Sequence, residues 1–360
     1  MAYFSLRRFG HRLLSTVRRL LRIRRTVEED YRDFNGNYFS SFYEQERMLA
    51  DPPRMEFYRA AIERRIRPGD RVIDLGTGTG ILAALASRQG AACVYAIDHS
   101  AILDTARVLA VANNLERVEF IAAHSTEFSV AGRVDVILHE QMGDCLFDEG
   151  MVANVCDLRD RLLKPGGLIL PSQFEFFCEP VKVRDERHVP FIWELKVCGY
   201  DYSALERDRP QNSDYYQCRS SDPTFVEHFL GTPAPALTFD LHSVDEATLP
   251  KSLVITRTVL HAGRLDGFVI FFRTRVDADL VLSSGPLDPG RAPHWGYRIL
   301  RTEHDTFDVG DELEVRLTVE RWSNLDSWRW THRKLTPPVP PATVPPTPTP
   351  AGDHATTSGT

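Results

Sequence analysis

Val72-Ile73-Asp74-Leu75-Gly76-Thr77-Gly78-Thr79-Gly80 is a β-type run that ends in three alternating glycines and passes into a helical pattern over 80–89. Glycine lets the backbone approach a ligand and adopt turns that other residues avoid. A strand, a G-x-G-x-G turn and a helix begin a parallel, doubly wound sheet. The next strand-like run, Cys93-Val-Tyr-Ala-Ile97, closes on Asp98. An acid at that place hydrogen-bonds ribose hydroxyls, so loop and acid together describe a nucleoside-ligand site. A dinucleotide fingerprint would read G-x-G-x-x-G, which this loop does not.

Working outward, residues 71–171 alternate strands and helices. Further strand-like runs are Val118-Glu-Phe-Ile121, Val134-Asp-Val-Ile-Leu138 and Leu168-Ile-Leu170, with a helical pattern at 101–113. The expected fold class is α/β, a doubly wound parallel sheet followed by a β-barrel-like domain. Residues 27–67 form helices ahead of the sheet, interrupted at Pro52-Pro53 and ended by Pro68-Gly69-Asp70. From 172 to 335 the pattern changes to antiparallel strands, as in Ser252–Val259, Gly267–Arg275 and Glu312–Val319. A polar, aromatic-containing excursion lies at 193–232. The expected domains are therefore 27–171 and 172–335, flanked by an extension at 1–26 and a tail at 336–360.

After the fourth strand comes His139-Glu140-Gln141-Met142-Gly143-Asp144-Cys145-Leu146-Phe147-Asp148-Glu149-Gly150-Met151. Two carboxylates, Glu140 and Glu149, bracket an apolar, glycine-containing turn. A carboxylate ending a buried parallel strand faces the ligand crevice, and a second on the same loop converges on it. Paired acids suit a guanidinium, whose planar fork of donors matches carboxylate oxygens. The plainer reading makes Glu140 a loop acid and Glu149 a solvated acid at a helix start, where acids are favoured.

The chain has 360 residues with 42% apolar and 26% charged content, ordinary for a soluble globular protein. No apolar run reaches the roughly 20 residues of a membrane span. Cys93, Cys145, Cys156, Cys178, Cys198 and Cys218 show no CxxC or His/Cys metal spacing, so they are expected to be reduced thiols in a cytoplasmic protein without a metal site. The net charge is −7, yet residues 1–25 hold eight arginines and no acid, leaving −15 on the rest. An acidic body attracts basic partners and no nucleic acid. Residues 4–25 form a basic amphipathic pattern, a candidate for weak contact with a membrane surface or partner. Eight prolines between 337 and 350 give polyproline stretches and disorder.

The loop D-L-G-T-G-T-G at 74–80 is typical of class I S-adenosylmethionine-dependent methyltransferases. With it, the acid loop 139–151, Leu163-Lys164-Pro165-Gly166-Gly167, Pro171 and the downstream Pro293-His294-Trp295, the chain resembles the protein arginine methyltransferase family. Tyr38-Phe39-x-x-Phe42 and Met48-Leu49-x-Asp51-x-x-Arg54 resemble that family's N-terminal segment, and 193–232 resembles its helical dimerisation arm. The resemblance spans roughly 37–335. It implies an enzyme that uses S-adenosyl-L-methionine to methylate arginine in a protein or peptide, as a homodimer. Asp74, Gly76, Gly78 and Gly80 then form the cofactor loop, Asp98 binds the ribose, Arg54 meets the cofactor's carboxylate, and Thr126 lies near the adenine position. Glu140 and Glu149 grip the guanidinium, and His294 pairs with Asp51 to tie the barrel to the N-terminal helix. The sequence departs from the family at Phe42 (a Tyr, with Tyr43 adjacent), Gln141 (a Trp), Asp144 (an aromatic), Thr126 (a Glu) and Pro293 (a Thr), and 42–48 is short. Methylation of a small molecule or another nitrogen or oxygen acceptor, and a non-catalytic cofactor-binding scaffold, are the competing readings.

Overall fold

The computed structural model describes residue 36 and residues 38–335. The basic extension and the proline tail lie outside the described residues. In chain order the first half holds α1 (Phe42–Leu49), α2 (Pro52–Arg65), β1 (Arg71–Leu75), α3 (Ile81–Arg88), β2 (Cys93–Asp98), α4 (Leu103–Ala112), β3 (Val118–Ala122), β4 (Val134–His139), α5 (Met151–Leu162) and β5 (Leu163–Leu170). The five strands pair in parallel in the order β3-β2-β1-β4-β5. Val72, Ile73, Val94, Val136 and Ile137 are buried on this sheet, because helices cover both faces of a parallel sheet and leave its strands apolar throughout.

The chain reverses direction across the sheet between β1 and β4, and ligands bind at such a switch point. Leu75 stands opposite His139 in the β1–β4 register. Gly76 and Glu140 therefore leave the sheet side by side, and one crevice receives both loops. Helix α2 starts sharply because Asp51 caps it, accepting from the Arg54 amide at 3.2 Å, and prolines occupy its first two positions.

The second half begins with β6 (Gln173–Val183), the centre of a seven-stranded antiparallel sheet. It pairs with Gly267–Arg275 over nine residues, from Gly267↔Val181 to Arg275↔Gln173. Ser252–Thr258, Glu312–Val319 and Trp328–Leu335 form a second sheet. Phe176, Trp322 and Trp328 join the two, with ring centroids 5.3–5.9 Å apart. Phe147 of the acid loop adds to this cluster, 4.5 Å from Trp322. The apolar residues between the two acids thus belong to a core shared by both halves.

The excursion differs from the helical arm expected. Among the described residues 193–232 hold no α-helix. The arm is a set of short 3₁₀ turns, at Ile192–Glu194, Ser203–Asp208 and Ser213–Tyr216, with a two-residue hairpin at Lys196–Val197 and Tyr200–Asp201. Gly199, Pro210 and a run of Tyr, Ser, Asp and Asn give no continuous helical apolar face, and 3₁₀ turns suit such short pieces. The arm also ends early: Gln217–Ser220 pairs with Tyr297–Arg301 and Val226–Phe229 with β6.

Candidate active site

The crevice above β1 and β4 is a cavity of about 1030 Å³ including its open mouth, lined by Gly76, Gly78, Asp98, Arg54, Glu140 and Glu149 among others. The glycine loop supplies its floor. Gly76 and Gly78 have φ of +73° and +55°, and a Cβ on Gly78 would lie 3.0 Å from Gln45 Oε1. Only glycine provides that backbone at that spacing. Asp98 Oδ2 accepts from the Gly78 amide at 3.0 Å and Oδ1 from the Ser100 amide at 2.8 Å, fixing the carboxylate at the cavity wall.

Asp74 and Gly80 act beneath this floor and do not line the cavity. Asp74 is fully buried and accepts from Thr77 Oγ1 at 2.6 Å and the Ala83 amide at 3.0 Å, so it shapes the turn. Burial pushes its carboxyl up to about 6 against those two donors. Gly80, at φ +86°, is the residue that starts α3.

The acid end is built on one buried ion pair. Arg54 Nη2 donates to Glu140 Oε2 at 2.8 Å, with side chains only 5% and 11% exposed. Arg54 Nη1 donates to the Met48 carbonyl at 2.9 Å. Burial raises the Glu140 carboxyl while Arg54 pulls it back. Glu149 lines the same cavity, and among the described residues no cation is paired with it. Burial and then the charge of Glu140 hold its carboxyl well above the ordinary range. Two acids and one arginine leave this end short of a positive charge. Between the acids, Leu146 sits at φ +71°, a strained conformation for leucine, and is fully buried.

The His-Trp loop closes over the acid loop from the barrel. Trp295 Nε1 donates to the Met142 carbonyl, and the Gly296 amide donates to Asp144 Oδ1 at 2.8 Å. Asp144 also accepts from Arg219 Nε. His294 meets Asp51 as expected, but through its main-chain amide, 2.8 Å from Oδ2, and not through its ring. The side chain is half-buried with its Nδ1 buried and unpartnered, and this desolvation lowers the ring to about 3.

Thr126 is exposed and does not line the cavity; His124, Ser125 and Asn154 do. Phe42 and Tyr43 are both 65% exposed and also stand outside it, whereas Phe39 lines it. Gln45 and Asn154 are site residues that sequence reasoning missed. Neither stands in a chemical motif, and Gln45 is marked only by its place on the short helix α1. Gln141 packs near Gly76 and meets Asn154 at 3.4 Å.

This arrangement matches known proteins. The chain is 31% identical over 313 residues to protein arginine N-methyltransferase 6 of Danio rerio, covering 84% of this chain and 87% of that one. The chain belongs to the protein arginine N-methyltransferase family. It is 30% identical to protein arginine N-methyltransferase PRMT10 of Arabidopsis thaliana, over 82% of this chain and 84% of that one. The crystal structure of the Arabidopsis thaliana protein arginine methyltransferase 10 superposes with a TM-score of 0.67 at 25% identity, covering 83% of this chain and 99% of that one. The enzyme–prozyme complex of Trypanosoma brucei PRMT1 shares the fold, with a TM-score of 0.70 at 22% identity over 82% and 94%. The family model for ribosomal protein L11 methyltransferase (PrmA) matches residues 59–172, the parallel-sheet half. The fold is thus that of the family, and the chain is a methyltransferase by descent.

Proposed function

We propose that this protein transfers methyl groups from S-adenosyl-L-methionine to guanidinium nitrogens of arginine in proteins. The observation that carries this is Glu149, a carboxylate on the cavity wall beside Glu140 with no paired cation among the described residues. Burial and then the charge of Glu140 raise its pKa, and a cationic guanidinium entering there offsets both. An uncharged acceptor would leave both in place.

The cavity suits the methyl donor. In this reading Asp98 takes the ribose hydroxyls, the glycine backbone at 76 and 78 allows close approach, and Ser125 and Asn154 face the base; that all of them line the one cavity supports it. Arg54, which lines the cavity and holds Glu140, takes the donor's carboxylate in the same reading. The donor supplies an electrophilic methyl on a sulfonium, so the acceptor needs positioning more than activation. Glu140 and Glu149 fix the guanidinium plane through charge-assisted hydrogen bonds and aim one nitrogen at the methyl. A nitrogen–carbon bond forms as the sulfur–carbon bond breaks, the thioether departs, and the methylated nitrogen then releases a proton.

The homodimer is part of the same proposal. Val197, Tyr200, Tyr202 and Leu205 on the arm are exposed apolar residues that a second copy would cover. We also place the protein in the cytoplasm, since all six cysteines are free. The test is full-length protein with labelled methyl donor and cell extract, followed by mass spectrometry of the modified residue. Label on arginine supports the proposal. Label on small molecules or on other side chains, with none on arginine, overturns it.

A further inference from the structure

At the base of the arm, four residues distant in sequence bring two imidazoles and two carboxylates together. His188 follows β6, Glu194 lies in the first arm turn, Asp266 precedes the Gly267–Arg275 strand, and His304 follows Tyr297–Arg301. His188 Nε2 and His304 Nε2 are 3.1 Å apart. Asp266 Oδ1 lies 3.5 Å from His188 Nε2 and 3.6 Å from His304 Nδ1. Glu194 Oε2 lies 3.4 Å from His304 Nε2. Ligand atoms of His188, Asp266 and His304 all fall within 4.8 Å of one another.

Each imidazole offers one ring nitrogen to an ion: the 3.1, 3.4 and 3.5 Å separations use Nε2 of His188 and His304, whereas the 3.6 Å one uses His304 Nδ1 and does not belong to the same ligand set. A tetrahedral zinc ion with bonds of about 2.0–2.1 Å places its ligand atoms about 3.3 Å apart. Imidazole nitrogen and carboxylate oxygen are its ordinary donors. The side chains of His188, Asp266 and His304 are only 15%, 2% and 18% exposed. Asp266 is already oriented from behind, accepting from the Val183 amide at 2.8 Å and from Arg264. Such outer hydrogen bonds are what hold a ligating carboxylate in place. Asp185 and Asp266 both contact Arg264. With Glu194 they leave two negative charges for a divalent ion to neutralise.

We propose that His188, His304, Asp266 and Glu194 bind one zinc ion that fastens the first turn of the arm to the barrel. Sequence spacing hides the site, because its four ligands come from four separate segments. It is remote from the methyl-transfer cleft, whose lining includes none of them. The proposal therefore does not depend on which acceptor the cleft takes.

The test uses the full chain, purified without a metal-binding tag, stripped with EDTA and titrated with Zn²⁺ against a chromophoric chelator. One equivalent is expected to bind. His188→Gln and His304→Gln should each weaken it by at least about tenfold, and His261→Gln, whose ring lies 5.4 Å from that of His228 and outside the cluster, should leave it unchanged. Co²⁺ should give the strong visible absorption of a four-coordinate site. Zn²⁺ should raise the melting temperature of the wild type but not of His188→Gln, which checks that the variant is folded and unbound. A wild-type chain that takes up no stoichiometric Zn²⁺, or variants that bind it as well as the wild type, overturns the proposal and leaves His188 and His304 as a hydrogen-bonded pair.

Discussion

The main-chain amide of His294 donates to Asp51 Oδ2 at 2.8 Å, while Asp51 Oδ1 accepts from the Arg54 amide at 3.2 Å. One buried carboxylate therefore caps α2 and fastens the barrel loop to it. Asp51→Ala removes a cap, about 1 kcal/mol, and leaves the His294 amide buried and unpaired, about 1–3 kcal/mol more. His294→Ala keeps the amide and its bond. Urea unfolding should accordingly show Asp51→Ala as the more destabilised of the two. The acidic limb of the pH–rate profile should be the same in His294→Ala as in the wild type, because burial holds that ring down to about 3. A limb that moves with the substitution would falsify this assignment.

Arg54 and Glu140 form the second buried tie, at 2.8 Å. Removing one member of such a pair strands the other, at a cost of about 3–5 kcal/mol. Arg54→Met should lose stability on that order in urea unfolding and weaken binding of the methyl donor. Adding Glu140→Gln to Arg54→Met should restore part of the stability, because the stranded charge is gone. A double variant less stable than Arg54→Met would rule out the pair as the cause.

The parallel sheet was legible because its inner strands β1, β2 and β4 are mostly buried and predominantly apolar, with helical patterns between them. Arg71–Leu75 and Gly267–Arg275 have the boundaries expected from the pattern. The convergence of Glu140 and Glu149 on one crevice was also legible, since an acid that ends a buried parallel strand faces the crevice and the second acid stands on the same loop; the strand register that sets Glu140 beside the glycine loop was not. What else was not legible depends on side-chain direction. Nothing in the sequence says that Asp51 meets a main-chain amide instead of an imidazole, or that Thr126 turns outward while Ser125 turns in. The arm misled because its similarity to a helical segment concerns its position, whereas its Gly, Pro and polar content dictates short turns.

Asp144 replaces an aromatic residue and serves as a latch. It receives the Gly296 amide at 2.8 Å and the Arg219 side chain, and Arg219 also meets Tyr38, which is hydrogen-bonded to Glu44. Asp144→Ala releases a buried amide, worth about 1–3 kcal/mol, and frees the acid loop from the barrel. A loss of roughly tenfold or more in kcat/KM is expected, since small misplacement of the acceptor is costly. Asp144→Asn keeps an acceptor for Gly296 and should lose less. Arg219 is half exposed, so Arg219→Ala should cost less than Asp144→Ala. Equal effects in steady-state kinetics would place the function in the Arg219 pair and not in the loop amide.

Glu149 links catalysis to a stability that depends on pH. Burial, then Glu140, raises its carboxyl well above the ordinary value. As pH rises past the value of an unfolded glutamate, the unfolded chain loses this proton before the folded chain does. The folded state then holds more protons, and stability falls with rising pH. Asp74 and Asp148, both pushed up to about 6 by burial, act in the same direction between about 4 and 6. Glu149→Gln removes the Glu149 contribution alone. Its melting temperature should match the wild type near pH 4 and exceed it increasingly toward pH 8, in the absence of ligand. Methyl transfer should drop by at least about 100-fold in the same variant, the scale for losing one preorganised electrostatic contact. Donor affinity should stay close to wild type by calorimetry. An arginine peptide, added with the demethylated donor product, should raise the melting temperature of the wild type and not of Glu149→Gln. A variant that melts lower than the wild type at pH 8, or that is stabilised equally by the peptide, would show that Glu149 is a structural acid and not the cation-seeking wall of the acceptor pocket.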